Sequence, residues 1–585
     1  MIEEPQTVTS TKVEKLIRRL VPTLYEDDRL LAVLKPAGVD SGGAEVGSGP
    51  GLGDWLGQMR GHRLHPANRL SRYESGVLLF GKDAGGAQHI RAGLKGAQVA
   101  QDYLAVVVGR MNQMRLEIDP VGGASRGRRG KKAASTQTGP DGGIRTSLAG
   151  GKGRRPARAG SSVVGRNQER HGRTVLHRLA EGDGRTLIRC STTVRNTHAL
   201  RAQLRGAGLR LSGDSFRETS GGTSRAELTF LHLTKMAFSS GAPRTTITIT
   251  APKPATAAAS LKGRHDPERA LHAALVRRLG CITEAETDCY RLITGSVEDV
   301  PGLTAEKFGE IVVLQVLEDN PVLLQSLRRI AMWYRQMLGV QAVYVKRFLK
   351  GRDRVQPNSV DDLHDPKPFI GVEAAPQFAI TERGLRFAIR PHDGQSVGLF
   401  LDQRENRGRI RSLADGKDVL NLFAYTCGFS VAAAAGGART VSVDVSAGHL
   451  EWGRTNFTLN GLDPSRHEFI RSDAVDFCVR ADRRDIRFDL IVLDPPTFAH
   501  GRRSKGAFSI TTDLAALIGR AIALLRPNGV LLISSNFRRM TLRGMRDALH
   551  EGAGGRRYKI MSVPPLPVDF AVDRDHAKAL LVRFF

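Results

Sequence analysis

Residues 418–446 have the sequence DVLNLFAYTCGFSVAAAAGGARTVSVDVS. An apolar run is followed by a short loop that contains Gly428, then by a helix of small residues, and then by a second apolar run that ends at Asp444. This order is typical of a nucleotide-binding βαβ unit, in which the glycine lets the backbone approach a ligand and the acid binds ribose hydroxyls. The single glycine, in place of GxGxxG, favours a smaller adenosine ligand over a dinucleotide. A Rossmann-like enzyme of another kind remains the alternative.

Further apolar runs follow this unit, namely FDLIVLD at 488–494 and GVLLISS at 529–535. Runs that are apolar at nearly every position are typical of parallel strands buried on both faces. Because helical segments separate them, the sequence from about residue 385 predicts a doubly wound, Rossmann-like α/β domain.

Two acids after Asp444 also follow predicted strands. Asp473 could accept a hydrogen bond from an adenine amino group, although a helix N-cap is an equally good interpretation of an Asp at that place. Asp494 opens the segment DPPTF. Its two prolines fix the backbone at the strand end, so that the carboxylate faces the crevice and Phe498 can stack on a planar group.

Composition limits the function classes. A chain of 585 residues is long enough for three to four folded units, and 87 Lys and Arg against 59 Asp and Glu give a net charge of +28, which favours a polyanionic partner. Five scattered cysteines without a CxxC pair indicate a reducing cytoplasm, with neither a disulfide framework nor a zinc site. The polar amino end and the absence of an apolar run of eighteen residues argue against secretion and membrane spanning.

Composition also predicts domain boundaries. Apolar runs before residue 110 predict an α+β domain at 1–255, interrupted at 121–173 by a basic insertion with 13 Lys and Arg and two acids, which we expect to be disordered. The Pro, Ala and Lys-rich segment 251–264 is typical of a linker. We therefore expect a central α+β domain at 256–384 and the Rossmann-like domain at 385–585.

Several segments carry a family resemblance. They resemble class I S-adenosylmethionine methyltransferases of bacterial 23S rRNA, of the RlmI (cytosine C5) and RlmK (guanine N7) types, over about residues 265–585. The segments are YRLITGSVEDVPGLTAEKFGE (290–310), GLFLDQRENR (398–407), NLFAYTCGFS (421–430), VSVDVS (441–446), EWGRTNFTLNGL (451–462) and FDLIVLDPPTF (488–498).

The resemblance implies S-adenosylmethionine as the cofactor and gives site residues their roles. Asp444 would bind the ribose, Asp473 would meet the adenine, and Asp494 would lie beside the transferred methyl group. Asn421 and Gly428 would line the loop, and Arg404 would pair with the cofactor carboxylate, with a surface ion pair as its alternative.

The acceptor atom follows from chemistry. Cytosine C5 becomes nucleophilic only after a thiolate adds to C6, so a C5 enzyme needs a cysteine in the crevice. The RlmI-type enzymes have it after the fifth strand, where this chain has Ser534, Ser535 and Asn536, and Cys427 would face the cofactor. A guanine N7 or N2 is therefore the expected acceptor, with Asn536, Asp494 and Phe498 as the residues next to a flipped base.

The amino-terminal region resembles RluA-type pseudouridine synthases over residues 20–250. The matching segments are TLYEDDRLLAVLKPAGV (23–39), NRLSRYESGVLLFGK (68–82), DYLAVVVG (102–109), RNTHALRAQLRGAGLRLSGD (195–214) and LHLTKMAF (231–238). Where the family has the attacking Asp of HRLDRDTSG, this chain has Ser71, so we expect isomerase activity to be lost. Glu74 is the alternative nucleophile.

Other positions match those that line the family's RNA cleft, and the resemblance implies that they bind RNA. They are Arg69, Arg72, Tyr103, Thr197, His198, Arg201 and Lys235. The alternative is that they only maintain the fold.

These inferences predict an S-adenosylmethionine-dependent RNA methyltransferase that modifies a guanine of 23S ribosomal RNA, with a synthase-like domain that binds RNA. Three alternatives stay open: methylation of cytosine C5, a bifunctional enzyme that also makes pseudouridine, and a ribosome-assembly factor without catalysis. A methyltransferase of small molecules would explain neither the positive net charge of the chain nor its first 250 residues.

Overall fold

The structure is a computed structural model in two compact units, Met1–Leu279 and Gly280–Phe585. It describes residues 15–42, 51–95, 99–118, 136–138, 144–146, 172–194, 196–213, 230–240, 245–254, 257–261, 267–278, 286–318, 320–347, 367–393, 396–496, 498–500 and 507–585. Within these ranges, none of the helices combines the length and the apolar composition needed to cross a bilayer.

In the described part of the first unit, thirteen strands form one sheet, in the order β1-β2-β4-β12-β5-β10-β9-β6-β8-β7, with β3, β11 and β13 paired to β4, β5 and β12. The strands are β1 Thr23–Glu26, β2 Leu30–Lys35, β3 His65–Pro66, β4 Ser75–Gly81, β5 Ala100–Val108, β6 Arg115–Ile118, β7 Thr136–Thr138, β8 Ile144–Thr146, β9 Thr174–Gly182, β10 Arg185–Thr192, β11 Arg210–Leu211, β12 Leu231–Ser240 and β13 Thr245–Thr250. The apolar runs noted before residue 110 are β2, β4 and β5. Six of the seven residues of β4 are buried, as expected for a central strand.

Besides the helical residues 15–20, the described part of this unit contains the helices α1 Leu52–Arg60, α2 Ala84–Gly93, α3 Thr197–Gly206, α4 Ala257–Leu261 and α5 Pro267–Arg277. The backbone N–H of Gly86 donates to Asp83 Oδ1 at 2.6 Å, which caps the start of α2. The basic insertion at 121–173 lies largely outside the described residues, and the short strands β7 and β8 fall within its bounds.

The sequence places a boundary near residue 255, whereas contacts divide the chain after Leu279. Helix α5 packs with the first unit, because His272 Nε2 lies 2.9 Å from the carbonyl oxygen of Leu20 and Arg277 donates to that of Gly38. The three-domain division remains a prediction.

The second unit begins with a five-stranded sheet in the order β14-β15-β16-β17-β18. Its strands are β14 Cys289–Thr294, β15 Leu303–Phe308, β16 Ile311–Val316, β17 Ala342–Arg347 and β18 Ile370–Gly371. β16 and β17 are parallel and are joined by helix α6, Pro321–Leu338. This helix starts where Asn320 caps it and ends at Gly339, which has a φ of 66°. The hairpin β19–β20 (Phe378–Glu382, Leu385–Ile389) leads to the last sheet.

Among the described residues, that last sheet has seven strands in the order β23-β22-β21-β24-β27-β29-β28, of which six run in one direction and β29 runs in the opposite direction. The strands are β21 Asp418–Leu422, β22 Arg439–Asp444, β23 Glu468–Arg471, β24 Phe488–Leu493, β27 Leu525–Ser535, β28 Tyr558–Ser562 and β29 Lys578–Phe584, and a separate hairpin contains β25 Phe498–His500 and β26 Ala507–Ser509. The helices are α7 Arg404–Leu413, α8 Gly428–Ala435, α9 Ala447–Leu459, α10 Ala474–Arg483, α11 Ile510–Ala523 and α12 Leu542–Ala553.

Both faces of this sheet are covered. Leu422, Ile491 and Ile533 belong to a core shared with α11 and α12. On the other side, Val419 and Val492 pack with residues of α7 and α8. Burying each such side chain contributes about 1.5–3 kcal/mol, which explains why the strands are apolar at nearly every position. The parallel strands all end at one edge of the sheet, as expected from the sequence.

Candidate functional site

A cavity of about 980 Å³ lies at that edge. Four residues expected at the site from the sequence line it, namely Asp444, Asp473, Asp494 and Asn536. The first three follow or end β22, β23 and β24. The structure therefore brings together three acids that lie up to 50 residues apart in the sequence.

The loop after β21 has an unusual backbone. Phe423, Tyr425 and Cys427 all have positive φ angles, of 58°, 48° and 61°. Residues other than glycine adopt this region at a cost, and such strain is concentrated at functional sites. Asp444 Oδ2 accepts the backbone N–H of Tyr425 at 2.9 Å, which fixes this loop against the end of β22.

Asn421 and Gly428 support the loop but do not line the cavity. The buried Asn421 side chain donates to Ser430 Oγ at 2.9 Å. A Cβ atom at Gly428 would lie 3.2 Å from Leu399 Cδ1, so the glycine permits close packing at the start of α8. Both residues therefore contribute to the packing around the loop and have no direct place in the cavity lining.

Asp444 stands at the centre of a polar cluster. Its Oδ1 accepts the backbone N–H of Ser446 at 2.9 Å and lies 3.4 Å from His449 Nδ1. The His449 ring packs edge-on against Tyr425, with ring centroids 4.6 Å apart. Each carboxylate oxygen can accept a further hydrogen bond from a ligand hydroxyl.

Asp473 is an N-cap, as one of its two sequence interpretations has it, and its contact with an adenine amino group remains a prediction. Its Oδ1 accepts the N–H groups of Val475 at 2.8 Å and Asp476 at 3.2 Å, so it is the N-cap of α10. The same side chain lines the cavity. Because both cap bonds use Oδ1, Oδ2 remains available for a donor in the cavity.

Asp494 is partly buried beside a side-chain amide. Gln403 Nε2 donates to Asp494 Oδ1 at 3.3 Å and to Ser534 Oγ at 2.7 Å. Loss of solvent and the nearby charge of Asp402 raise the pKa of Asp494 to about 7. Near neutral pH its carboxyl group is therefore divided between the protonated and the ionised state.

Asp402 and His576 also line the cavity, although sequence reasoning did not select them. Burial works against ionisation of Asp402, but its contact with His576 and the charges of Arg291 and Arg407 lower its pKa. His576 Nε2 lies 3.4 Å from Asp402 Oδ2. Asp402 lies two residues before Arg404 in the segment LDQRENR. The resemblance of this segment to the methyltransferases could have identified Asp402 as a site residue.

Arg404 lies elsewhere. Its side chain is buried, donates to Asp569 Oδ1 at 2.9 Å and to the carbonyl oxygen of Cys289 at 2.7 Å, and lies 3.4 Å from Glu382. It does not line the cavity, because these acids hold it between the five-stranded sheet and the carboxy-terminal segment. The alternative role of Arg404 in the sequence analysis was a surface ion pair. The structure shows ion pairs, but they are buried in the interior.

The DPPTF segment is described in part. Pro495 and Pro496 line the cavity, and Phe498 begins β25. Thr497 and the Phe498 side chain lie outside the described part of the chain, so the stacking expected of Phe498 remains a prediction.

Residues 291–548 match the family model of S-adenosylmethionine-dependent methyltransferases. The match covers less than half of the 585 residues of the chain. The chain is 47% identical over 166 residues to the Ribosomal RNA large subunit methyltransferase K/L of Psychrobacter sp. (strain PRwf-1), covering 28% of this chain and 20% of that protein. It is 40% identical over 171 residues to the Ribosomal RNA large subunit methyltransferase K of Neisseria meningitidis serogroup B, covering 29% of this chain and 48% of that protein.

A solved structure from Streptococcus mutans, assigned as a SAM-dependent methyltransferase, is 26% identical and covers 60% of this chain and 88% of that chain, with a TM-score of 0.48. The chain spans between a fifth and a half of the length of the two curated relatives described above.

The lining of the cavity in the matched region has a chemistry that fits S-adenosylmethionine. The adenosine part presents hydroxyl and amino donors, and Asp444 and Asp473 present acceptors at neighbouring strand ends. A positively charged sulfonium is stabilised by carboxylates and by aromatic rings, and Asp494, Tyr425 and Trp452 line the same cavity.

Residues 29–205 match the family model of RNA pseudouridylate synthase. In this region Ser71 lies on the loop before β4. Glu74 is buried, with Oε2 accepting the Ser71 N–H at 2.7 Å and Oε1 lying 3.0 Å from Arg201 Nη2. Lys35 Nζ, also buried, donates to the carbonyl oxygens of Ser71 and Glu74 at 3.0 and 2.7 Å, and burial lowers its pKa to about 7.

The predicted RNA-binding residues differ in exposure. Arg69, His198 and Lys235 are exposed, and Arg72 is half-buried, with Nε donating to the carbonyl oxygen of Gly38. Tyr103 is buried, and its hydroxyl donates to Gln101 Oε1 at 2.7 Å. An RNA surface could therefore include the first three, whereas Tyr103 belongs to the core.

Proposed function

We propose that the chain is an S-adenosylmethionine-dependent methyltransferase of large-subunit ribosomal RNA, with a Rossmann-like catalytic domain at its carboxy-terminal end. The observation that carries the proposal is the single cavity lined by Asp444, Asp473 and Asp494 at the strand ends of the family-matched region. The names of the two relatives, which are large-subunit ribosomal RNA methyltransferases, supply the substrate class. The net charge of +28 suits an RNA partner.

Each acid has a separate role in this proposal. Asp444 accepts hydrogen bonds from the ribose hydroxyls, and Asp473 Oδ2 accepts one from the adenine amino group. Asp494, held by Gln403, lies at the acceptor base, and Asn536 donates to or accepts from that base. S-adenosylmethionine, when bound, supplies an electrophilic methyl group on its sulfonium. The protein contributes alignment of the base and exclusion of water.

A guanine nitrogen is the proposed acceptor. N7 carries a lone pair and loses no proton on methylation. At the exocyclic N2 one proton must leave, and Asp494, with a pKa of about 7, could receive it. Both reactions therefore suit the surroundings of Asp494.

The cytosine-C5 alternative lacks a nucleophile in the described cavity lining, which contains no cysteine. Cys427 is fully buried, and burial raises the pKa of its thiol to about 12. A side chain at Gly453 would collide with its Sγ, so the thiol is enclosed by packed atoms. A thiolate that attacks a base needs a lowered pKa and access.

We further propose that the synthase-like region binds RNA without isomerase activity. Ser71 carries no carboxylate, and the Glu74 carboxylate is engaged by the Ser71 backbone and by Arg201. The exposed side chains of Arg69, His198 and Lys235 supply phosphate contacts.

The test is methyl transfer from tritiated S-adenosylmethionine to large-subunit rRNA by the full chain, followed by mass-spectrometric mapping of rRNA from cells that lack it. We expect one methyl group to be lost from a guanosine and no pseudouridine to be lost. Loss of a pseudouridine with all methyl groups retained would overturn both assignments. Failure to bind S-adenosylmethionine in calorimetry would favour an assembly factor.

A further inference from the structure

One wall of the cavity comes from the five-stranded sheet rather than from the strand ends. Arg291 on β14, Glu306 on β15 and Gln315 on β16 line it, and we call these three residues the sheet wall. Arg291 pairs with Glu306 across the strands, and Thr304, two residues before Glu306, pairs with Gln315. The three side chains therefore lie on one face of the sheet.

The sheet wall is held in place by its own hydrogen bonds. Arg291 Nε and Nη2 donate to Glu306 Oε1 at 3.1 and 2.9 Å. The Arg291 guanidinium also lies 4.5 Å from the centre of the Phe570 ring. Thr304 Oγ1 donates to Gln315 Oε1 at 3.0 Å. These bonds orient the carboxylate and the amide before any ligand arrives, which lowers the cost of binding.

The hydrogen bonds within the sheet wall leave one acceptor atom of Glu306 and one donor group of Gln315 for a ligand. Both Arg291 bonds end on Glu306 Oε1, so Oε2 takes no part in them. The Thr304 bond uses Gln315 Oε1, which leaves Nε2 as a donor. A buried ion pair adds little stability compared with apolar residues of the same size, so packing alone does not account for Glu306 on a cavity wall.

The cavity is large for a site that holds a single ligand. Its volume of about 980 Å³ is at the upper end of the range of about 300–1,000 Å³ found for pockets that hold one drug-sized molecule. The acids proposed for the adenosine part, Asp444 and Asp473, follow strands of the other sheet. Phe400, which is 44% exposed and lines the cavity, offers a ring face for stacking.

The donor and acceptor pattern of the sheet wall matches one base. On its Watson–Crick edge guanine presents two adjacent donors, N1–H and an N2–H, next to the acceptor O6. A carboxylate can accept both donors, and an amide N–H can donate to O6. Adenine N1 and cytosine N3 are acceptors and would be repelled by Glu306, and uracil offers a single donor between two carbonyl oxygens.

We infer that the sheet wall is the guanine-recognition subsite of this cavity, in which Glu306 accepts N1–H and N2–H and Gln315 donates to O6. This inference rests on the proposed function and narrows it. The exocyclic N2 is engaged by Glu306, whereas N7 lies on the opposite edge of the base. N7 is thus the nitrogen left for the methyl group.

The experiment uses the full chain saturated with S-adenosylhomocysteine, which occupies the adenosine part of the cavity. Guanosine, adenosine, cytidine and uridine 5′-monophosphates are then titrated, with saturation-transfer NMR as the readout. We expect wild type to bind the guanosine nucleotide about 10- to 100-fold more tightly than the others, as one bidentate contact provides.

Glu306→Gln should abolish this preference and leave the affinity for S-adenosylhomocysteine unchanged. The matched control is Glu373→Gln, an exposed acid of the same unit that does not line the cavity, which should keep the preference. If thermal melting shows that Glu306→Gln is unfolded, the same titration is made with Gln315→Met. This variant removes the donor to O6 and leaves the Arg291–Glu306 pair in place, so it should also lose the preference for the guanosine nucleotide.

Equal binding of all four nucleotides to wild type, no detectable binding of the guanosine nucleotide, or a preference that survives Glu306→Gln or Gln315→Met would overturn the subsite. These results are distinct from failure of the proposed function, which would appear first as a wild-type protein that does not bind S-adenosylhomocysteine.

Discussion

Asp494 and Glu74 each carry a carboxyl group in a loop next to a strand, one in each unit. The two carboxyl groups differ in burial and in their hydrogen-bond and ion-pair partners. Asp494 lines a cavity, and its hydrogen-bonding side-chain neighbours are the uncharged Gln403 and Ser534. Glu74 is 1% exposed, and both of its oxygens are engaged, by the Ser71 N–H and by the Arg201 guanidinium. We therefore expect the first carboxyl group to bind a ligand and the second to stabilise the fold. An acid near a family's catalytic position is therefore not by itself a catalytic residue.

The strongest test of this contrast is Asp494→Asn. We expect methyl transfer to rRNA to fall by about 100- to 10,000-fold, because alignment of the base and any proton transfer depend on this group. The affinity for S-adenosylhomocysteine should change little, since the ribose and adenine contacts are elsewhere. Tritium incorporation and calorimetry measure the two quantities.

The matched control for this variant is Asp485→Asn, because the Asp485 side chain is 89% exposed and lies outside the cavity lining. It should behave as wild type. Methyl transfer by Asp494→Asn at a rate close to that of the control would remove Asp494 from the reaction.

Glu74→Gln tests the other half of the contrast. Removing one charge of a buried pair is expected to lower the free energy of unfolding of the first unit by about 3 kcal/mol, while methyl transfer at saturating RNA stays unchanged. Urea denaturation measures the stability, with the exposed Glu181→Gln as control. A stability equal to that of the control, together with a loss of tritium release from uridine-labelled RNA, would make Glu74 a nucleophile after all.

The sequence predicted much of the carboxy-terminal sheet, because its strands and the acids that follow them are close together along the chain. Asp444 ends one recognisable apolar run, and Asp494 follows another. What it could not predict are the contacts between distant segments. Gln403 meets Ser534 over 131 residues, and no local pattern encodes that contact.

Arg404 illustrates the same limit. The resemblance of LDQRENR to the methyltransferases suggested Arg404 as a partner for the cofactor carboxylate. The structure instead pairs it with Asp569, 165 residues away, and places it near Glu382 in the hairpin β19–β20. Asp473 shows a second limit, because the sequence offered an N-cap and a ligand contact as alternatives, whereas the two do not exclude each other: the cap uses Oδ1 alone, and the residue lines the cavity.

Asp444→Asn should have a smaller effect than the two preceding variants, and it acts on binding. The amide keeps an acceptor for Tyr425 N–H but loses charge-assisted bonds to ribose hydroxyls, so we expect the affinity for S-adenosylhomocysteine to fall about tenfold or somewhat more. Calorimetry measures it, with Asp476→Asn on the exposed side of α10 as control. An unchanged affinity would place the ribose elsewhere in the cavity.

The smallest expected effect is a pH dependence that distinguishes the cofactor from its product. S-adenosylmethionine carries a positive sulfonium, which S-adenosylhomocysteine lacks. Because the pKa of Asp494 is raised to about 7, its carboxyl group is mostly neutral at pH 5.5 and mostly ionised at pH 8. The ionised form attracts the sulfonium, so the ratio of the two affinities should rise in favour of S-adenosylmethionine, by about three- to tenfold, as the pH increases through 7 and then level off.

In Asp494→Asn this ratio should not change with pH, since the amide does not titrate. Asp402 does not reproduce the effect, because its pKa is lowered and it is already ionised throughout this range. A wild-type ratio that stays constant from pH 5.5 to 8 would mean that Asp494 does not face the sulfonium, and it would then have to act on the base alone.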